Sequence, residues 1–297
     1  MYSPKELPDI QCSIPNINIP IKQVGVENVE VPFQIQLRSG GFYQLNANVS
    51  IKTNLDDSTK GISMSRLLLT LKPYLELPLK RTLINQILTD IRNNVGSSNS
   101  YIKFDFRMPI VKKSISTINS FPIYYKCGFE GQLYQTKINV EQGDVYQIVD
   151  RFRFFQKIRI QYSSYCPCSA ELCNHLEKNN YKGYPHNQRS YAYVLVEVSQ
   201  NKFIWIEDII ESIENKLKTL PYPIIKRQDE MEIAKVASEN PMFVEDANRI
   251  ISNELNNMEG IEDWYVKCIH EESIHTSEAI AVNWKGVPGG FNSRMDI

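Results

Sequence analysis

Long apolar runs are missing from this sequence of 297 residues. No stretch approaches the length that crosses a bilayer, and the opening MYSPKELPDIQC has no apolar core of the kind a secretory leader carries. The expectation is a cytoplasmic protein without membrane contact. Charge of one sign is missing too. With 33 Lys and Arg against 34 Asp and Glu, the formal net charge is -1, so no global field gathers nucleic acid or an anionic surface. Any polyanion must be held by a local cluster. The glycine signatures of phosphate and dinucleotide loops, GxxxxGK[ST] and GxGxxG, are absent, and so is the GxSxG nucleophile elbow. A disulfide framework is lacking as well: of 6 cysteines three crowd into one loop, which reads as reduced thiols. At 42% hydrophobic and 23% charged, the composition is that of a globular chain with one large domain or two ordinary ones.

What is present concentrates in one place. Between the strand-like runs FFQKIRIQYSS and SYAYVLVEVSQ, the stretch YCPCSAELCNHLEKNNYKGYPHNQRS (residues 165–190) gathers three of the six cysteines and two of the four histidines. Thiolate and imidazole are the ligands a borderline-soft ion such as zinc prefers. Cys-x-Cys is nevertheless too tight for a zinc knuckle, and no second Cys pair or His-x3-5-His follows. Spacing leaves two readings open, a metal site or reduced, half-buried loop cysteines.

The rest of the chain alternates between two periods. After a Pro-rich arm over residues 1–20, alternation predicts a hairpin turning at Gly40 and Gly41. Leu83, Ile84, Ile87, Leu88 and Ile91 recur at helical spacing, and Gly96 ends that helix. YIKFDFRMPIV, FPIYYKCGFEGQLY and QTKINVEQ read as strands. In the second half, Ile206, Ile209, Ile210, Ile213, Leu217 and Leu220 share one helical face. A further helix starts near Pro241, with Val244, Ala247, Ile250, Ile251 and Leu255 inward. WYVKCIHEES and EAIAVNWKG close the chain as strands. Two β-β-α-β-β-like halves, the second with an extra helix, predict a duplicated α+β architecture with helices on one face of each antiparallel sheet.

Four polar clusters lie in the second half. They are Cys166, Cys168 and His186 with Asn187, Gln188 and Arg189; Lys226, Arg227, Asp229 and Glu230; Glu245 with Asp246; and His270, Glu271, Glu272, Ser273 and His275. Each has a plainer explanation. The second could be a solvated charged turn, the third suits a helix N-terminus, and the histidines could be satisfied interior or surface groups. Two carboxylates and two imidazoles at one strand end are harder to explain as structure alone.

Taken together, seven segments resemble the type IB GTP cyclohydrolase family, tunnelling-fold enzymes that open GTP at the head of folate synthesis. They are LPDIQ (7–11), KGISMSR (60–66), CPCS (166–169), HNQRS (186–190), KRQDE (226–230), NPMFVED (240–246) and ESIH (272–275), in the family's order over nearly the whole chain. Two departures stand out. Ser63 occupies a position where the family usually has His, and the link from CPCS to HNQRS is lengthened by residues that include Cys173 and His175.

The resemblance implies two tandem tunnelling-fold (T-fold) modules, 1–150 with the N-terminal arm and 151–297 with most of the site. It implies a homotetramer with active sites between subunits and one divalent metal per site, zinc or manganese. The implied reaction converts GTP and water to formate and 7,8-dihydroneopterin triphosphate. Metal ligands are expected at Cys166, with Cys168 as the alternative thiol, His186 and Glu230. Glu272 and His275 are expected to move protons and Glu245 to grip guanine. Arg66, Arg189, Lys226 and Arg227 are the cations expected at the triphosphate. Rivals on the same fold are an archaeal-type cyclohydrolase that also cleaves the phosphates and a nitrile reductase with a cysteine nucleophile. A non-catalytic purine-binding tetramer is the rival from another class. No nucleic-acid or membrane partner is expected.

Overall fold

The computed structural model describes residues 10–139 and 146–293. Most of LPDIQ, the first part of the N-terminal arm and the end of QTKINVEQ lie outside the described residues. The chain is mixed α+β and divides into two compact units, 1–106 with 128–154 and 107–127 with 155–297.

In the first unit, β1 (Ile21–Gln36) and β2 (Phe42–Leu55) form the expected antiparallel hairpin, with Gly40 and Gly41 at φ of +88° and +81° in the turn. Only glycine takes such angles without strain, which is why the turn falls there. β2 pairs antiparallel with β4 (Ser100–Lys113), and the two-residue β3 (Pro78–Leu79) lies parallel to β1. Two helices accompany them, α1 (Met64–Leu71) and α2 (Arg81–Val95). α2 buries Ile84, Ile87, Leu88 and Ile91 and ends at Gly96 in the left-handed conformation, as its spacing predicts. It rests directly on β5 (Ser120–Asn139): a Cβ on Gly131 would come within 2.4 Å of the Ile84 side chain. A row of rings, Phe33, Phe106, Phe129 and Phe154, crosses the strands at centroid spacings of 5.0, 5.3 and 5.5 Å, the first two contacts edge-on and the third tilted. The described part of the N-terminal arm docks, because Lys60 and Gly61 donate backbone N–H groups to Ser13 and Gln11.

In the second unit, residues 155–165 of β6 (Tyr146–Tyr165), β7 (Asn187–Val198), β8 (Ile261–Glu271) and β9 (Ala279–Trp284) run in antiparallel register. Alternation along β6 sends Ile158, Ile160 and Tyr162, all fully buried, to the face under the helices. That cover includes α4 (Ile206–Leu217) and α6 (Val244–Asn257), while α5 (Arg227–Glu239) buries only Asp229 and Ala237. Ile206, Ile209, Ile210, Ile213 and Leu217 of α4 are buried as expected, each contributing about 1.5–3 kcal/mol relative to exposure. Leu220 falls beyond the helix. α6 begins at Val244 rather than near Pro241, and it buries Asn248 and Ser252 while Ile250 is only half-buried. On the other face Phe155, Leu195, Tyr265 and Phe291 cluster with Trp284 against them. The chain end that brings Phe291 there is tied by Asp263, which accepts N–H groups of Gly286 and Phe291 at 2.9 and 2.7 Å.

Two elements differ from the sequence reading. The segment after CPCS, expected as a polar loop, is a helix, α3 (Pro167–Lys178), opened by a proline at its first position. KRQDE, whose plainer reading was a charged turn, is the first turn of α5.

Candidate active site

The ends of β6, β7 and β8 build the site. Tyr165 pairs with Asn187 at the last rung, and the Cys166 N–H extends the ladder by donating to the His186 carbonyl at 3.3 Å. The two residues expected to supply thiol and imidazole therefore face each other across two strand ends. Cys166 is extended and precedes α3, and its carbonyl accepts the Ala170 N–H at 3.0 Å. The His186 N–H donates to the Ser169 hydroxyl at 3.3 Å, so the inserted helix braces the histidine from its own first turn.

The His186 ring is held by two neighbours. Nδ1 lies 3.2 Å from Oε1 of Gln188 and 3.6 Å from Oε2 of Glu272, and Nε2 of Gln188 donates to the other carboxylate oxygen of Glu272 at 3.2 Å. An amide oxygen can only accept, so this contact assigns the proton to Nδ1 and leaves the Nε2 lone pair open to an electrophile. His186, Gln188 and Glu272 thus form a closed triangle. Glu272 enters it from a tight turn after β8, in which its N–H donates to His270 and the His275 N–H donates back to it at 3.3 Å. Glu272 is half-buried and His275 exposed.

Beneath this surface lies His270, 1% exposed. Its Nε2 is 3.0 Å from the Tyr162 hydroxyl and its Nδ1 is 3.1 Å from that of Ser164, which in turn bonds Ser190 at 2.8 Å. Burial pushes the imidazole down to about 4, and the charge of Glu245 pulls weakly the other way. The ring is neutral at pH 7. Glu245 itself is exposed in the first turn of α6.

The remaining expected residues are more scattered. Arg189 is exposed on β7 opposite Glu271 of β8. Lys226, Arg227 and Glu230 are exposed around the start of α5, while Asp229 between them is fully buried. Its carboxylate accepts from the N–H and hydroxyl groups of Ser116 and Thr117 and from the Lys226 N–H, at 2.8–3.0 Å. Those bonds hold its acidity well below the usual carboxylate range despite the opposing effect of burial. Cys168 is exposed and Cys173 half-buried, and both are free thiols. Arg66 belongs to the first unit, donates to the Asn94 carbonyl at 3.2 Å, and lines a cavity of about 110 Å³ with Ser63 and Gly96. Gln188, His270 and Ser169 are the site residues to which the sequence alone gave no role. Their parts depend on cross-strand register, and alternation along SYAYVLVEVSQ is the only local hint of it.

A family model described as type I GTP cyclohydrolase folE2 matches residues 7–281. The chain belongs to that family. A GTP cyclohydrolase FolE2 of Cereibacter sphaeroides (strain ATCC 17029) is 30% identical over 285 residues, covering 94% of this chain and 76% of its own. One from Geobacter sp. (strain M21) is 31% identical over 275 residues, with 93% of each chain covered. A crystal structure of a hyper-thermostable AgUricase mutant superposes with a TM-score of 0.53 at 5% identity, over 92% of this chain and 94% of that one. This last likeness is one of fold alone, to the T-fold-like urate oxidases. The family expected from motifs was the type IB cyclohydrolases, and the description that matches is the folE2 family.

FolE2 enzymes are generally metal-dependent, so the donor set can be tested for fit. In kind it fits: a thiol and an imidazole sit at adjoining strand ends, with the ring's far nitrogen already fixed by an amide. In number one chain falls short. Among the described residues no group of three or more His, Cys, Asp or Glu is close enough to hold a metal, so Cys166, His186 and Glu230 are not gathered within one chain.

Proposed function

We propose that the paired strand ends carrying Cys166, His186, Gln188 and Glu272 are where this chain performs its family's reaction. The chain is a GTP cyclohydrolase of folate biosynthesis. The reaction converts GTP and water to formate and 7,8-dihydroneopterin triphosphate, in the type IB manner. A zinc or manganese ion held by Cys166 (Cys168 being the alternative thiol), His186 and Glu230 would supply Lewis-acid activation of water near neutral pH. Everything else falls to side chains. Gln188 keeps the proton on His186 Nδ1, so the opposite nitrogen faces the reaction. Glu272 and His275, one turn apart, exchange protons with the imidazole-ring nitrogen that departs when the ring opens and with the attacking water. Glu245 accepts paired hydrogen bonds from guanine N1–H and the 2-amino group, a pattern adenine does not offer. Arg66, Arg189, Lys226 and Arg227 take the triphosphate.

The incomplete ligand set of one chain supports a site completed by a second copy, and the family resemblance makes that assembly a homotetramer with intersubunit sites. Within each copy the T-fold modules are 1–150 and 151–297. Among the described residues no helix is long and apolar enough to cross a membrane, in keeping with a cytoplasmic enzyme.

The observation that carries this reading is the His186–Gln188–Glu272 triangle beside Cys166 in a folE2 chain. The test is metal-stripped protein with GTP, with and without zinc or manganese, followed by formate release and pterin fluorescence after oxidation. Metal-dependent formate with a triphosphorylated pterin is expected. Glu272→Gln should lower kcat at least about 100-fold with bound metal intact. Unchanged turnover in that variant removes Glu272 from the proton transfers, and a dephosphorylated product favours the archaeal-type rival.

A further inference from the structure

The second unit holds a cavity of about 180 Å³ outside the residues assigned to catalysis. Three cations line it: Arg107, Lys126 and Arg159. None of the three has a carboxylate partner among the described residues. The two guanidinium groups lie over tyrosine rings instead, Arg159 at 3.9 Å from the Tyr191 centroid and Arg107 at 5.4 Å from that of Tyr124. Tyr191 is nearly buried, so the ring under Arg159 is a fixed platform. Stacking holds a guanidinium flat and leaves its N–H edge free to donate.

One carboxylate, Glu214, also borders the cavity, and its charge is already matched. Lys112 forms an ion pair with it, and the Tyr125 hydroxyl donates to its other oxygen. Burial, reinforced by the nearby Glu214, holds the Tyr125 phenol proton on well above its ordinary range. The cavity therefore carries three uncompensated positive charges in a chain whose net charge is only -1. Arginines on the same sheet surface with nothing to bind repel one another.

We infer that this cavity is a second anion site, one that takes a di- or triphosphate group. A monocarboxylate would neutralise one of three charges, whereas a polyphosphate carries enough to neutralise all of them. Its oxygens also suit two guanidinium edges and an ammonium. Room is not limiting: one water needs only about 10–15 Å³ of such space. The phosphate could arrive as free inorganic polyphosphate or as a nucleotide tail. Neither source depends on the catalytic assignments above, which give the triphosphate of bound GTP to other cations.

Titration calorimetry on the full-length, metal-loaded protein tests this, with inorganic tripolyphosphate as the probe. Saturable binding is expected in the wild type, and it should weaken at least about 10-fold in Arg107→Gln/Arg159→Gln. In Glu245→Gln, whose proposed guanine contact is removed, tripolyphosphate binding should persist. GTP binding in that same variant at similar affinity assigns the nucleotide tail as the source, and its absence assigns free polyphosphate. No saturable binding by the wild type, or equal affinity in the double variant, overturns the inference. If the double variant fails to fold by circular dichroism, Lys126→Gln replaces it, since that side chain is exposed. A several-fold loss is then expected, and an unchanged affinity overturns the site.

Discussion

Asp229 shows how a single side chain fixes the start of a helix. Its carboxylate joins the first turn of α5 to Ser116 and Thr117, and so fixes the backbone that carries Lys226, Arg227 and Glu230. Nothing in KRQDE announces this, because the partners lie more than a hundred residues earlier and an acidic residue in a charged run looks solvated. Gln188 was equally silent. Its contact with His186 is local, two residues along the chain, but its bond to Glu272 depends on the pairing of β7 with β8, which no local pattern encodes. The ligand-type residues were legible by contrast, since Cys166 and His186 stand out by chemistry alone. His270 yields a prediction at this scale. Its ring titrates near 4 in the folded chain and near 6.5 when unfolded, so between those values the unfolded chain holds a proton that the native state refuses. Stability should be full above about pH 6.5 and fall as pH drops toward 4, by no more than about 1.4 kcal/mol per unit for this one proton. Urea midpoints at pH 7 and pH 5 check it. His270→Gln should narrow the difference between them, and an unchanged difference would mean that the burial of His270 does not govern this range.

Helices α3 and α4 are opposites. The apolar stripe of α4 repeats at helical spacing and is buried along its length, so its place was readable. α3 buries no residue, and Leu172 is 65% exposed. Without an apolar stripe, α3 shows in the sequence as a run of cysteines and a histidine, with Pro167 its one helix-starting signal. Packing energetics then separate the two. Ile210→Ala, at 0% exposure, should cost about 2–5 kcal/mol, and Leu172→Ala should stay within about 0.5 kcal/mol. Chemical denaturation of each variant measures both. A large loss in Leu172→Ala would show that α3 is packed against a partner in solution.

At the scale of the whole molecule, the proposed sharing of the metal site between copies predicts that catalysis depends on association. Specific activity should fall on dilution, in step with the loss of the largest species in analytical ultracentrifugation. Constant activity down to a monomeric concentration would refute a shared site. The α+β class and the positions of the strands around the site were legible from alternation and turn residues. The number of copies was not, because it depends on surfaces whose partner lies outside the chain.

The path of the chain through the second unit also bears on its manufacture. β7 is almost wholly buried in the folded protein, yet its outer neighbour β8 begins only at Ile261, after three helices have been made. At roughly 5–20 residues per second, a ribosome needs several seconds to deliver residues 199–260, and for that time a Val-rich strand offers one open edge. Nascent chains should therefore be most prone to sticking together during that interval, and slower initiation or cooler growth should raise the soluble yield by keeping neighbouring chains apart until β8 arrives.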